Sequence, residues 1–187
     1  MEQNNQGTDQ SNYLLAPHRP ALWVAPEGEH PLRGAWVDAA RPAPLIRADI
    51  AAITLRSVPD RPSPWTIHAF RNFQRLDLAP STPLPRLSRI ARGIAKHGEA
   101  FARWVELAPR AHGRLSDFPD RYLGHFACQR AYVEFVMVET SRTRRLSADD
   151  QAQLCAKYAL RFVARQWADS VLFADAEEGG VYAFSPE

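Results

Sequence analysis

Imidazole serves as a metal ligand and as a general acid or base, so the histidines are the natural candidates for chemistry in this chain. The six are scattered: His18, His30, His68, His97, His112 and His125. No two have the His-x-x-x-His or His-Glu-x-x-His spacing of a helical zinc site, and neither a glycine-rich phosphate loop nor a Gly-x-Ser-x-Gly turn is present. His97 with Glu99 is the best catalytic pair, although a packed or capping histidine is far more common in such a helical segment. The sequence therefore predicts no catalytic residue, no metal and no cofactor, and the protein is not expected to be an enzyme.

Cationic side chains in the middle of the chain offer a different chemistry, which is the binding of phosphates. Residues 83–116 hold seven bases against two acids, a net charge of +5 in a chain whose total is +2. At 100° per residue, one helical wedge collects four of these bases, which could contact several phosphates along about 21 Å of helix. They are Arg89, Arg92, Lys96 and Arg103. The ordinary alternative is a solvated outer face of a helix.

The two cysteines, Cys128 and Cys155, lack a second Cys or His at short spacing, so they do not form a metal-binding pattern. Both lie in apolar stretches that look helical. Free cysteine behaves as a small hydrophobic residue. We therefore expect two buried free thiols.

The sequence contains neither a membrane-spanning segment nor a signal peptide, and this predicts where the protein is located. No run of 18 apolar residues is present, and the start of the chain has neither a basic region nor an apolar one. Residues 1–18 are polar and without periodicity, which predicts a disordered tail. The expected location is the cytoplasm of the host.

The elements that must position these side chains begin with an N-terminal α+β unit, residues 19–80. The chain has 187 residues, 45% of them hydrophobic, and many of its 15 prolines fall in this part. Short apolar or alternating runs predict strands at 21–24, at 32–39 and at 65–70, the first two joined as a hairpin. A helix opens near Pro44, with apolar positions at Leu45, Ile46, Ile50, Ile53 and Leu55. The prediction is a three-stranded antiparallel sheet with one helix.

A central helical unit, residues 81–116, follows. Leu84 to Leu107 has the clearest helical period, and its apolar positions fall within about 60° of one another. These are Leu87, Ile90, Ile94, Phe101 and Val105. Because Gly93 and Gly98 weaken the middle, a break near His97-Gly98 is predicted.

A C-terminal α+β unit comprises residues 117–187. The stretch 131–138 fits a helix or a strand. Ser147, followed by Asp149 and Asp150, predicts a helix start, and the helix should run to about Asp169. Residues 171–173 and 181–184 around Gly179-Gly180 predict a terminal β-hairpin.

Five short motifs, in order along the chain, resemble those of the ArdA antirestriction family. They are Arg33-Gly34-Ala35-Trp36-Val37-Asp38, Trp65-Thr66-Ile67-His68 with Phe70, Lys96-His97-Gly98-Glu99-Ala100-Phe101, Phe118-x-Asp120-x-Tyr122-x-Gly124-x-Phe126 and Gly179-Gly180-Val181-Tyr182-Ala183-Phe184. The resemblance covers about residues 20–185. It implies an elongated, curved homodimer, each chain of three small units, encoded on a plasmid or other mobile genetic element. This dimer is expected to occupy the DNA-binding groove of type I restriction-modification enzymes.

Such proteins resemble DNA in carrying carboxylates spaced like phosphates, which capture the lysines and arginines of the enzyme. The acids of this chain that could do so lie in the C-terminal unit: Asp117, Asp120, Asp149, Asp150, Asp169, Asp175, Glu177 and Glu178. For Asp149 and Asp150 the alternative is helix capping, and for the others solubility. The chain departs from the family where relatives carry acids: Ala69, Arg71, Ala95, Lys96, Gln129 and Arg130 stand at those places.

Two functions follow as expectations. The favoured one is an antirestriction protein that inhibits a type I restriction-modification enzyme by DNA mimicry. The alternative is a diverged protein of the same fold that binds nucleic acid or an acidic partner through its basic central helix, as a regulator.

Overall fold

The computed structural model describes residues 18–28, 30–57, 64–143, 146–150, 152–153 and 171–186. The chain divides into two compact units, with the boundary between Ala102 and Arg103. Helices and two small antiparallel sheets confirm the predicted α+β class. The division into three units at residues 19–80, 81–116 and 117–187 stays a prediction. Of the tail predicted at residues 1–18, residues 1–17 lie outside the described residues.

The first unit is built on a three-stranded antiparallel sheet, as predicted. Its strands are β1 (Ala21–Pro26), β2 (Ala35–Asp38) and β3 (Trp65–Arg71), in the order β2-β1-β3. The central strand is apolar on both faces, and its Leu22 and Val24 are fully buried. This explains why β1 is a continuous apolar run, while alternation is clearer in the edge strands.

The predicted second strand, 32–39, is too long at its start. Residues Pro31–Arg33 form a 3-10 turn, and the strand begins only at Ala35. Pro31 has no N–H to donate to a strand ladder. Its carbonyl oxygen instead accepts a hydrogen bond from Trp23 Nε1 at 2.9 Å.

Helix α1 (Ala43–Ser57) confirms the helix predicted to open near Pro44. Ile46 and Ile50 are buried. Leu45 and Leu55 are instead close to half exposed.

Helix α2 spans Leu84–Leu107, and the predicted break is confirmed at Gly98, whose φ of 62° and ψ of −145° are not helical. All five predicted core positions of this helix are buried. The first part of α2 is fastened within the first unit, since the buried Ser88 hydroxyl donates a 2.6 Å hydrogen bond to the carbonyl oxygen of Arg41.

The second unit contains helix α3 (Phe118–Arg121), strand β4 (Tyr122–Phe126), helix α4 (Gln129–Thr143) and the strands β5 (Leu172–Asp175) and β6 (Val181–Phe184). The predicted terminal hairpin is confirmed, and β4 completes a sheet of order β4-β6-β5. Residues 131–138, for which helix and strand were both open, are helical.

An aromatic core holds this unit together. Trp104 and Phe184 are fully buried, with ring centroids 5.5 Å apart. The indole Nε1 of Trp104 donates a 3.0 Å hydrogen bond to the carbonyl oxygen of Arg114, so its one polar atom is satisfied inside the core.

The cysteine prediction is wrong for Cys128, which is exposed. Cys128 precedes α4, and its carbonyl oxygen accepts a hydrogen bond from the N–H of Tyr132 at 3.3 Å. The burial of Cys128 was predicted from the apolar composition of the residues around it. Those apolar residues belong to α4, whereas Cys128 lies before the helix begins. Cys155 and the predicted helix beyond Gln153 lie outside the described residues.

Candidate functional site

Three cationic side chains project from the first part of α2. Arg89, Arg92 and Lys96 are all exposed, while the opposite side of the helix is buried. Arg89 Nε donates a 3.4 Å hydrogen bond to the carbonyl oxygen of Pro85. Within the described part of the chain, no acid forms an ion pair with Arg92 or Lys96. This segment therefore presents an unneutralised positive charge to solvent.

The fourth predicted base, Arg103, has a different environment. It follows the Gly98 break, belongs to the second unit and is about one-fifth exposed. Its guanidinium lies 3.3 Å from the carboxylate of Glu106 and 3.9 Å from that of Glu177. The positive charge of Arg103 is thus largely balanced by neighbouring acids.

Among the eight candidate acids, Asp120, Asp175 and Glu178 are the most available. All three are exposed, and in the described ranges no cation forms an ion pair with them. Asp120 belongs to α3, Asp175 ends β5, and Glu178 lies in the β5–β6 turn. Their carboxylates can therefore accept hydrogen bonds from cationic groups of another molecule.

The turn that carries Glu178 is held firmly to the sheet. Two backbone hydrogen bonds close it, from the N–H of Ala176 to the oxygen of Gly180 and from the N–H of Gly179 to the oxygen of Ala176, both 3.1 Å. His125 Nε2 lies 3.0 Å from the oxygen of Gly179, and the His125 ring packs 4.9 Å from that of Tyr182. Sequence reasoning missed His125 as a positioning residue, although the alternation Tyr122-x-Gly124-x-Phe126 around it is typical of a strand.

Two other candidate acids have local structural partners. Asp117 accepts hydrogen bonds from the N–H of Arg114 at 2.8 Å and from the hydroxyl of Ser116 at 3.1 Å. The backbone hydrogen bond is the main cause that lowers the pKa of Asp117. Asp150 and Ser147 bond to each other at the start of a helix, as predicted from the capping pattern.

Three candidates remain. Glu177 faces Arg103, as described above, and Asp149 is exposed in the helical turn that begins after Ser147. Asp169 lies outside the described residues.

His97, the best catalytic candidate in the sequence, is placed as a packing residue. Its ring stacks on Phe101 with centroids 6.3 Å apart. Burial, and to a lesser extent the positive charge of Lys96, lower the pKa of His97, which favours the neutral imidazole. In the described ranges no three His, Cys, Asp or Glu side chains are grouped so that they could hold a metal ion.

Two open clefts accompany these surfaces, one in each unit. The first, of about 590 Å³, lies between β3 and the start of α2, and includes Trp65 and Pro83 in its walls. The second, of about 860 Å³, is lined by charges of both signs, among them Arg103, Arg110 and Asp175. Neither contains a paired nucleophile and base.

Comparison with known proteins gives one match. The family model described as "Antirestriction protein (ArdA)" matches residues 27–171, which is most of the chain. No curated protein and no solved structure matches. Across the described residues, no helix is long and apolar enough to cross a membrane.

Proposed function

The chain belongs to the ArdA antirestriction family, and from this premise we propose that it inhibits a type I restriction-modification enzyme by occupying the groove in which that enzyme binds DNA. Membership implies an inhibitor protein that acts against restriction enzymes. The target class and the DNA mimicry are the proposal. We further propose that it works in the host cytoplasm as a homodimer and is encoded on a plasmid or another mobile genetic element.

The observation that carries the mimicry is the set of exposed carboxylates in the second unit, Asp120, Asp175 and Glu178, none of which has an ion-pair partner in the described ranges. A DNA-binding groove presents lysines and arginines that normally displace counterions from phosphates. These carboxylates can take the place of phosphates, because they accept charge-assisted hydrogen bonds without first giving up a cation of their own.

Two of the basic residues that stand where the family carries acids make contacts within the chain. The guanidinium of Arg71 lies 4.6 Å from the ring centroid of Trp36, a cation–π arrangement. Arg130 forms a 2.8 Å ion pair with Glu134. These two cations are therefore occupied within the chain, which reduces the repulsion that they could exert on a basic groove.

A competitive gel shift tests the proposal. A purified type I methyltransferase is mixed with labelled target DNA and this protein is titrated in. The parent should displace the enzyme without shifting the DNA by itself. The triple variant Asp120→Asn, Asp175→Asn, Glu178→Gln should require at least about tenfold more protein, since three interfacial charges are removed.

The matched control is the triple variant Asp49→Asn, Glu106→Gln, Glu134→Gln. It removes the same number of charges, but from carboxylates that already have ion-pair partners. It should displace the enzyme nearly as well as the parent. Equal weakening of the two triple variants would mean that net charge, not this acidic surface, governs binding, and the proposal would be abandoned.

A second function is favoured by one specific observation, the unneutralised cations Arg89, Arg92 and Lys96 on α2. In this alternative the protein binds nucleic acid or an acidic partner through these side chains and Arg103, and acts as a regulator. The same gel shift then shows a direct shift of the DNA by this protein, with affinity that falls steeply as salt is added. Replacing Arg89, Lys96 and Arg103 by Ala should abolish that shift, and a shift that survives these changes excludes the alternative.

A further inference from the structure

The cleft of the first unit runs along one edge of strand β3. Its volume of about 590 Å³ lies within the range of roughly 300–1,000 Å³ that is usual for ligand sites. Trp65, Thr66 and Ile67 of β3 form one wall, and the segment that leads into α2, residues 80–85, forms the other. Because β3 is an outer strand of the order β2-β1-β3, this edge has no partner strand in the described part of the chain.

The backbone of β3 presents hydrogen-bonding groups to this cleft. Residues in an antiparallel pair alternate between hydrogen-bonded and non-hydrogen-bonded positions. Pro64 holds a position of the first kind, since its carbonyl oxygen accepts a 2.7 Å hydrogen bond from the N–H of Glu27, and Thr66 is the next such position in the same register. Trp65 and Ile67 alternate with these two. Their N–H and C=O groups therefore face away from β1, on the side of the cleft.

The opposite wall does not pair with these backbone groups. Three of its residues are Pro80, Pro83 and Pro85, which have no N–H to donate. The N–H of Thr82 is used in a turn, where it donates a 2.9 Å hydrogen bond to the carbonyl oxygen of Ala79. Among the described residues, no backbone hydrogen bond joins the two walls. The edge of β3 is thus open to a strand from another molecule.

The charge of the cleft is positive. Of the described residues that line it, Arg47 alone is charged, and it is exposed. The guanidinium of Arg89 lies beside the proline wall, since its Nε donates a 3.4 Å hydrogen bond to the carbonyl oxygen of Pro85. Complementary charge on a ligand therefore means carboxylates.

We propose that this cleft binds an extended acidic segment of another protein, which joins the first sheet as a fourth strand beside β3. The backbone of the segment bonds to the outward N–H and C=O groups of Trp65 and Ile67. Its side chains that point into the cleft are apolar where they meet Leu84 and the proline rings, and acidic where they meet Arg47.

A peptide fits this cleft better than a nucleic acid does. A phosphate backbone lacks the regularly spaced N–H and C=O groups that complete a ladder, and a wall of proline rings offers phosphates no donor. The cleft belongs to the first unit, whereas the carboxylates proposed to imitate phosphates belong to the second. The two proposals can therefore fail independently of each other.

Selection from a displayed library of random short peptides, with the full chain as bait in reducing buffer, tests the occupant. The selected sequences should share an Asp or Glu next to apolar residues. The most strongly enriched peptide is then synthesised with a fluorescent label and serves as the probe, its dissociation constant being measured by fluorescence anisotropy. A library that yields no binding peptide, or only peptides without acids, overturns the proposal.

Charge variants place the probe in the cleft. Arg47→Gln should weaken its binding about fivefold, as expected for an ion pair at the strong end of the solvent-exposed range. The control, Arg92→Gln, removes an exposed cation of α2 that does not line the cleft, and should bind the probe like the parent. Equal weakening in the two variants would mean that net charge governs binding. Displacement of the probe by duplex DNA at a lower concentration than by unlabelled peptide would assign the cleft to nucleic acid. Either result overturns the proposal.

Two measurements on the parent chain test the strand geometry. N-methylation of the probe, one amide at a time, should weaken binding at every second amide of the paired stretch, because only alternate amides of an added strand bond to β3. Hydrogen exchange, followed by NMR, should slow at least about tenfold for the amides of Trp65 and Ile67 when the probe saturates the protein. The amide of Thr66, which already faces β1, should change much less. Losses on N-methylation without this alternation, or unchanged exchange at both Trp65 and Ile67, contradict strand addition.

Discussion

The aromatic ring of Phe101 occupies the space that a Cβ atom on Gly93 would need. The two residues are eight apart in α2, and a phenylalanine in a straight helix reaches back only three or four residues. The contact depends on Gly98, whose non-helical backbone changes the direction of the chain between them. Gly98 thus allows the change of direction in α2, and Gly93 leaves room for the Phe101 ring that this change brings close to it.

Replacing Gly93 by Ala should destabilise the protein, although alanine is the better helix former. The propensity gain is about 1 kcal/mol. Overpacking against the Phe101 ring costs about 1–3 kcal/mol, so the net loss is up to about 2 kcal/mol. Urea denaturation measures the change. Ala95→Gly, the opposite exchange at an exposed position of the same helix, should cost only about 1 kcal/mol. A Gly93→Ala variant more stable than the parent would show that the ring moves away freely.

Gly98→Ala should be destabilising for a different reason. Nothing lies within 4 Å of the place where its Cβ would be, so no clash is involved. The cost comes from φ 62° and ψ −145°, a region open almost only to glycine, and amounts to about 1–3 kcal/mol. Urea denaturation measures the loss in the free energy of unfolding of Gly98→Ala, which is then compared with the loss in Gly93→Ala. A loss below about 0.5 kcal/mol, the range of an ordinary surface change, would mean that the helix straightens without cost.

Local patterns were sufficient to predict α2 from the sequence. A single apolar stripe fixes which side packs, and two glycines mark the break, so the bounds, the core positions and the kink are all confirmed. In α1 the pattern did not distinguish the buried Ile46 and Ile50 from the exposed Leu45 and Leu55. That helix has apolar residues on two sides, and periodicity alone does not say which side the sheet covers.

Non-local contacts explain why parts of the candidate site could not be predicted from the sequence. A straight helix places Arg103 beside Arg89 and Lys96, but Arg103 follows the break and meets Glu177, more than seventy residues later in the chain. Strand β4 was not predicted, and in the described part of the chain it pairs with β6, which lies far along the sequence. Pairings of this kind have no local signature in one sequence.

Phe184→Ala should be among the most damaging single changes in the second unit. The ring is fully buried and contacts the rings of Trp104, Phe118 and Tyr122. Loss of a buried phenylalanine costs about 3–5 kcal/mol. Phe135, which is 52% exposed, supplies the matched control. Phe135→Ala should cost less than about 1.5 kcal/mol, because its ring already lies half in water. Similar losses in the two variants, measured by urea denaturation, would contradict the position of the aromatic core.

His97 should titrate below its ordinary value of 6.5 in the folded protein, because burial disfavours the charged ring and Lys96 adds a smaller effect in the same direction. As the pH falls, His97 is therefore protonated at a higher pH in the unfolded chain than in the folded protein. The contribution of His97 to stability is complete above about pH 6.5 and is lost as the pH drops towards the lowered pKa. His97→Gln should remove this part of the pH dependence of the free energy of unfolding.

NMR titration of the His97 ring protons measures the pKa directly and separates its two causes. Lys96→Gln should raise the pKa, but only part of the way to the value in the unfolded chain, since burial is the larger cause. Arg89→Gln removes a cation from the same side of α2 at about 12 Å along the helix. Because salt screens charges beyond about 10 Å at 0.1 M, it should leave the pKa unchanged. A His97 pKa at or above 6.5, or complete recovery in Lys96→Gln, would contradict burial as the larger cause of the lowered pKa.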